Sequence, residues 1–295
     1  MTITAKLDRA KAEGIRASLA SGGWEFDEPA PDHALWAARL PTVRAVMYAS
    51  GKLVLQGKDA ARAAEEYLGE VPAPAGLLVA IRVPTLGSDE AGKGDFLGPL
   101  VAAAVLVKPG RDALLKEFGV RDSKLMGDRE ALDASRLVRA TCPHAVVAVA
   151  PPRYNDLHAE MGGNLNRLLA WAHARALEDV LESDAGGGAQ AIVVDEFVKE
   201  EVFAQSLLPR ARALPLEVRP RAEDHPAVAA ASVLARAGYL KGLLRASREC
   251  GVRLAKGSGP PADAAARKVL EKGGPALLAR VAKMHFKNAE KVGAR

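Results

Sequence analysis

Cysteine is nearly absent from this chain. Cys142 and Cys250 are the only two in 295 residues, and they form no paired spacing. That excludes a disulfide framework and a cysteine-built zinc site, and it sets the expectation of a reducing, cytoplasmic setting. The opening residues, MTITAKLDRA, lack the apolar core of a signal peptide. The longest apolar run, from about Phe96 to Val107, is too short to cross a bilayer, so no membrane role is expected. No internal repeat is visible. What remains is 49% hydrophobic and 26% charged, ordinary for a soluble protein with a sizeable core, and long enough for one large domain or two.

Charge is unevenly placed. Residues 1–80 hold nine Lys/Arg against ten Asp/Glu, whereas residues 240–295 hold thirteen against four. A cationic segment of that kind suits a polyphosphate partner, because each neutralised phosphate releases counterions. A solvated helix surface would give the same composition.

Two patterns of elements follow one another. TAKLDRAKAEGIRASLA predicts a helix from residue 4 onward, ended by Gly22-Gly23. ALWAARL, VRAVMYA and the run after Gly51 predict short strands, and KDAARAAEEYLGE a closing helix. This small α+β unit occupies 1–70. The Pro/Ala/Gly stretch at 71–78 predicts a linker. From 79 to 295, apolar strands (LLVAIRVPTLGSDE, GPLVAAAVLV, AVVAVA, AIVVDEF) are joined by turns and helices. Prominent among the helices are NLNRLLAWAHARALEDVLE and AVAAASVLARAGYLKGLLRAS. That pattern predicts an α/β domain, a mixed sheet flanked by helices.

The chemistry gathers around GSDEAGKGD, residues 87–95. Gly87, Gly92 and Lys93 fit a phosphate-binding loop, but the hydroxyl that should ligate magnesium is replaced by Gly94. Asp89 and Glu90 would also set anions against phosphate. A nucleotidase is therefore the weaker reading. Asp89 and Glu90 close one apolar strand and Asp195 closes another, while Asp122 in VRDSK and the pair Glu223-Asp224 add acids at turns. Carboxylates converging on a sheet edge repel one another unless hard cations bind, and magnesium prefers such oxygen ligands. Two ions about 3.5–4 Å apart could activate water and stabilise the leaving oxygen of a phosphodiester.

GSDEAGKGDFLGPL, VRDSK, GGNLNRLLAWAHARAL, VVDEF, HPAVAAASVLAR and AKMHFKN occur in that order. Together they resemble the type 2 ribonuclease H family in its ribonuclease HIII form, over about residues 80–290. The resemblance implies a ribonuclease H-like sheet preceded by a TATA-binding-protein-like domain that binds substrate. It implies cleavage of the RNA strand of RNA/DNA hybrids with Mg2+ or Mn2+, leaving 5′-phosphate and 3′-hydroxyl ends. By the same resemblance Asp89, Glu90 and Asp195 are catalytic metal ligands, and Glu223 is the fourth acid with Asp224 as the alternative. Gly92, Lys93 and Gly94 would grip the RNA backbone and its 2′-hydroxyls, with Asp122, Ser123, Lys124 and Asn164 also on the substrate side. Asp122 and Asn164 could equally be turn and helix caps. His225 could be a helix-start surface residue, and His285 and Phe286 packing residues. A monomer without an obligate protein partner is expected. A non-cleaving nucleic-acid-binding module of the same fold is the alternative, and an intact set of acids argues against it.

Overall fold

The computed structural model describes residues 2–68 and 80–294; the expected linker at 71–78 lies outside them. The chain divides into two compact units, 1–77 and 78–295.

The first unit is an antiparallel sheet in the order β1-β5-β4-β3-β2. Its strands are β1 (Thr2–Lys6), β2 (Glu25–Phe26), β3 (Ala34–Leu40), β4 (Val43–Tyr48) and β5 (Lys52–Gly57). The helices Arg9–Ser21 and Ala60–Leu68 complete it. Alternation along β4 and β5 turns Val43, Ala45, Met47, Leu53 and Leu55 into a core shared with Ile15 and Leu19 of the first helix. The helix expected from residue 4 starts later. Thr2–Lys6 pairs antiparallel with β5 instead, and Asp8 caps the helix by accepting from Lys11 N at 2.8 Å. Lys6 therefore lies on a strand, away from Arg9, Lys11 and Arg16. Trp36, 3% exposed, belongs to the core.

The second unit is a mixed sheet in the order β10-β9-β6-β7-β8. It comprises β6 (Thr85–Ala91), β7 (Leu100–Val107), β8 (His144–Val149), β9 (Ala191–Asp195) and β10 (Leu216–Arg219). β6 runs parallel to β9 and antiparallel to β7; β9 and β10 are parallel. β10 has no counterpart in the sequence reading: four residues with one charged pair carry too little apolar signal. Every residue of β7 is buried, because helices cover both faces of the sheet. Ala104 and Leu106 pack toward the helix Leu165–Glu182. Val101, Ala103 and Val105 pack toward the helix Pro226–Cys250. This second helix is long and apolar enough to span a membrane, but 67% of that apolar window is buried inside the unit. It is the core helix of a folded domain.

Gly87 acquires a meaning different from that of a phosphate loop. A Cβ there would lie 2.2 Å from the carbonyl carbon of Ala227 and 2.3 Å from Val228 N, so glycine lets the core helix lie on β6. Backbone cannot yield as a flexible side chain does. Gly87→Ala is expected to cost about 3 kcal/mol or more, read as a lowered denaturant midpoint.

Candidate active site

Parallel pairing of β6 and β9 builds the first half of the site. Ser88 is level with Val194, so the next residues, Asp89 and Asp195, stand side by side at the same end of adjacent strands. Both lie on the face that carries the core helix. Asp195 accepts from Ala222 N at 3.1 Å. That contact ties it to the short turn Ala222–Asp224, which presents Glu223. From across the same face comes the turn Ser123–Leu125. Ser123 N donates to Ser232 Oγ at 3.1 Å, and the Ser123 carbonyl accepts from Arg236, both on the core helix. The turn is thus bolted in place, and the Lys124 ammonium reaches Glu223 Oε1 at 2.5 Å.

The electrostatics follow from this crowding. Asp89 is 5% exposed; burial first, then the neighbouring Glu90, push its pKa well above the ordinary carboxylate range. Burial likewise raises Asp195, against the opposing bond from Ala222 N. For Glu90, burial is outweighed by the bond to His173 and by Lys93, 3.4 Å away, and its pKa falls to about 2. Lys124 is held protonated: burial alone would lower its pKa, but Glu223 and Asp89 raise it.

Among the described residues no three acids already converge as ligands of one ion. Glu223 is turned to Lys124, and Glu90 to His173 and Lys93. The donor set nevertheless fits a hard cation. Four carboxylates face two ammonium groups, all donors are oxygen, and burial raises the pKa of the two strand-end aspartates, a cost that a bound cation would offset.

The glycine loop leaves β6 at its far end. Gly92 has φ +87°, and a Cβ on it would meet Pro99 O at 2.2 Å. Gly94 has open space where a Cβ would be. Beyond the loop the chain runs into β7 rather than into a helix N-terminus. This removes the phosphate-loop reading, which needs that helix. Asp95 anchors the far side, accepting from Tyr239 OH at 2.7 Å and Gly257 N at 2.5 Å.

Other expected site residues take local roles. Asp122 Oδ1 caps its turn by accepting from Lys124 N at 2.9 Å. Asn164 Oδ1 accepts from Arg167 N at 3.2 Å and caps the helix Leu165–Glu182. Asp224 pairs with Arg219 at 2.5 Å. His225 caps the core helix by accepting from Ala227 N at 3.2 Å; burial, then Arg219, lower its pKa to about 4, and it stands there as the neutral ring. His285 stacks on His158 with ring centroids 4.3 Å apart, and Phe286 packs near Phe96.

Among the buried polar residues that the sequence did not single out, two bear on the site. His173 sits among Leu169, Ala176, Leu177 and Val180 on the apolar face of its helix, and that break in an apolar stripe was the available signal. Lys283, in AKMHFKN, is fully buried and donates to Asp95 O at 2.8 Å and Gly98 O at 2.7 Å. Burial lowers its pKa to about 7, and a neutral amine has two hydrogens for two carbonyls. Lys283→Met would orphan both and is expected to cost about 2 kcal/mol or more. The pH sign is definite. Above about 7 the folded state releases a proton that the unfolded state keeps up to about 10.5, so Lys283 makes stability rise with pH across that window. Unfolding midpoints of wild type and Lys283→Met at both ends of the window should show the rise in wild type and its loss in the variant.

Acids at the ends of parallel strands, beside a backbone-exposing glycine loop on an α/β fold, suit an enzyme that hydrolyses phosphodiesters, and comparison with known proteins shows the family. The family profile described as ribonuclease HII matches residues 86–289, and a domain of unknown function matches 5–75. Ribonuclease HIII of Protochlamydia amoebophila is 35% identical over 97% of this chain and 95% of its own. Ribonuclease HIII of Listeria monocytogenes is 35% identical over 88% and 89%. The crystal structure of Bst-RNase HIII in complex with Mn2+ superposes with a TM-score of 0.66 at 30% identity, covering 99% of this chain and 98% of that one. The chain belongs to the ribonuclease HII family, and within it to the ribonuclease HIII group. It is an endonuclease acting on RNA/DNA hybrids.

Proposed function

We propose that Asp89, Glu90, Asp195 and Glu223 hold the divalent ions, Mg2+ or Mn2+, with which this endonuclease hydrolyses the RNA strand, leaving 5′-phosphate and 3′-hydroxyl ends. The observation that carries this is that buried Asp89 and half-buried Asp195 follow the paired residues Ser88 and Val194 at one end of two parallel strands, with Glu223 beside them. The Mn2+ complex of Bst-RNase HIII supports it. When bound, the ions supply charge that lowers the pKa of water and offsets charge on the leaving oxygen. The chain's own residues do the rest. Asp89 and Asp195, fixed by strand pairing, set the spacing of the anionic centre. Lys124 and Lys93 supply cations at its rim, where phosphates of the RNA strand would exchange for Glu223 and Glu90. Gly92 and Gly94 let backbone approach the strand, so that 2′-hydroxyls can be read without base contacts. Asp122 and Asn164 support this surface as caps, and Ser123 by anchoring its turn. Analysis of the cleaved ends tests the chemistry: a 5′-phosphate is expected, and a 2′,3′-cyclic phosphate would contradict attack by water.

In this reading the unit 1–77 grips the hybrid, with the domain divided as 1–70, linker and 79–295. Its near-neutral charge excludes bulk electrostatic attraction, and buried Trp36 is not a stacking platform. The exposed Arg9, Lys11 and Arg16 remain as local contacts. Removing residues 1–70 should raise KM for hybrid about tenfold and change kcat far less. An unchanged KM in the folded truncation would refute the gripping role. The free thiols Cys142 and Cys250 support a cytoplasmic setting, and we take the enzyme to act as a monomer.

The cationic excess of residues 240–295 is smaller at the surface than its composition suggests. Lys283 is buried, Lys256 pairs with Asp128 at 2.6 Å, and Lys291 pairs with Asp263. Arg245 pairs with Glu249, and Lys272 donates to Gly251 O.

A further inference from the structure

The helix Leu165–Glu182 sends one fully buried imidazole toward the acids. His173 is 0% exposed, and its Nε2 lies 3.1 Å from Glu90 Oε2. Its Nδ1 lies 2.8 Å from Ser88 Oγ, on the same strand and the same face two residues earlier. The ring is stacked on Phe197 at 4.8 Å with planes 16° apart, and meets Phe203 edge-on at 6.2 Å. Both ring nitrogens and one face of the ring are therefore accounted for. An ionised carboxylate only accepts hydrogen bonds, so Nε2 carries the proton of that contact.

The hydroxyl–imidazole–carboxylate order is that of a hydrolytic triad, but its exposure is reversed. Ser88 is 0% exposed, its side chain turned from β6 to the helix Leu165–Glu182, while Glu90 is the end nearest solvent. No substrate can reach Ser88 Oγ, so it is not a nucleophile. The relay runs outward, from the packed interior to the acid.

We propose that His173 is a positioning residue: clamped by Ser88 and Phe197, it fixes Glu90 Oε2 at the strand end beside Asp89, leaving Oε1 to turn from Lys93 to a metal. The two aspartates take backbone donors, whereas the two glutamates are held by side chains alone, Glu223 by Lys124 and Glu90 by His173 and Lys93. Asp89 has Glu90 N at 2.8 Å, and Asp195 has Ala222 N. A flexible glutamate at a strand end would lose entropy on binding an ion, and the imidazole removes that cost beforehand.

The inference rests on the reading of the acids as metal ligands, and two substitutions separate its parts. His173→Gln places an amide nitrogen near the position of Nε2 and keeps the bond to Glu90. His173→Asn places one near Nδ1, keeps the Ser88 side and falls short of Glu90. Mn2+ titration of the metal-free, full-length proteins by electron paramagnetic resonance gives affinity without any turnover. His173→Asn is expected to weaken Mn2+ binding about tenfold or more and to lower kcat with little change in KM for hybrid. His173→Gln should stay within about threefold of wild type in both. Equal behaviour of the two folded variants, or wild-type affinity in His173→Asn, would overturn the proposal, because a merely structural histidine would not separate them. Should neither fold, Ser88→Ala carries the test: it frees the ring, so weakened Mn2+ binding supports positioning and unaltered binding refutes it. Asp89→Asn is the control for the underlying reading. If it binds Mn2+ as wild type does, the assignment of the acids fails whatever the histidine variants show.

Discussion

Asp89→Asn and Asp195→Asn are each expected to leave the fold standing and to reduce hydrolysis by about a thousandfold or more, about 4 kcal/mol of transition-state stabilisation. The amide keeps the shape of the carboxylate and its contacts with Glu90 N and Ala222 N. What it loses is the charge that holds a divalent ion. Both aspartates are raised in pKa chiefly by burial, so the native fold carries a desolvation cost, added to by neighbouring acids, that asparagine relieves. The variants should therefore unfold at the same temperature as wild type or a higher one, a trade of stability for activity common at catalytic centres. Turnover at saturating metal and hybrid, measured beside a thermal unfolding curve, checks both halves. A folded variant with turnover near that of wild type would show that the strand-end pair is structural.

The second large effect distinguishes the two candidates for the fourth acid. Glu223→Gln is expected to cost about a hundredfold or more in kcat, whereas Asp224→Asn should cost only a few-fold. Successive residues of a tight turn point in different directions. Glu223 meets Lys124 and lies among the groups that act on Asp195, while Asp224 is turned to Arg219. Asp224→Asn still weakens the turn, because Arg219 loses a charged partner, so a small drop in stability should accompany it. The comparison needs only the two single variants assayed on one labelled hybrid. A larger loss in Asp224→Asn would reverse the assignment.

How far the site was legible in the sequence depends on the physical signal each residue leaves. Asp89, Glu90 and Asp195 stand out because a charge ending a buried strand demands a partner, and the parallel pairing of β6 and β9 then brings two of them level. Strand order could not be read that way: β10, with its Glu and Arg, and β1, whose Thr and Lys continue into a helix-like pattern, show too few apolar residues to register. The capping residue Asp8 was the better signal there, since a good N-cap marks where a helix begins. Gly87 matched a motif by spacing, yet its reason is steric, the close passage of Ala227. His173 and Lys283 were hidden because their partners come from segments 83 or more residues away. A single polar side chain in an apolar stripe marks burial, but only the folded chain shows what it holds.

The central claim, that these acids serve metal-assisted cleavage of the RNA strand in a hybrid, is tested most directly on one panel of labelled duplexes. RNA/DNA, DNA/DNA and DNA carrying a single ribonucleotide are incubated with the full-length protein, with chelator or with Mg2+ or Mn2+. The account predicts cuts in the RNA strand of RNA/DNA only when a divalent ion is present, and none in DNA/DNA. Cleavage in chelator, or equal cleavage of DNA/DNA, would contradict it.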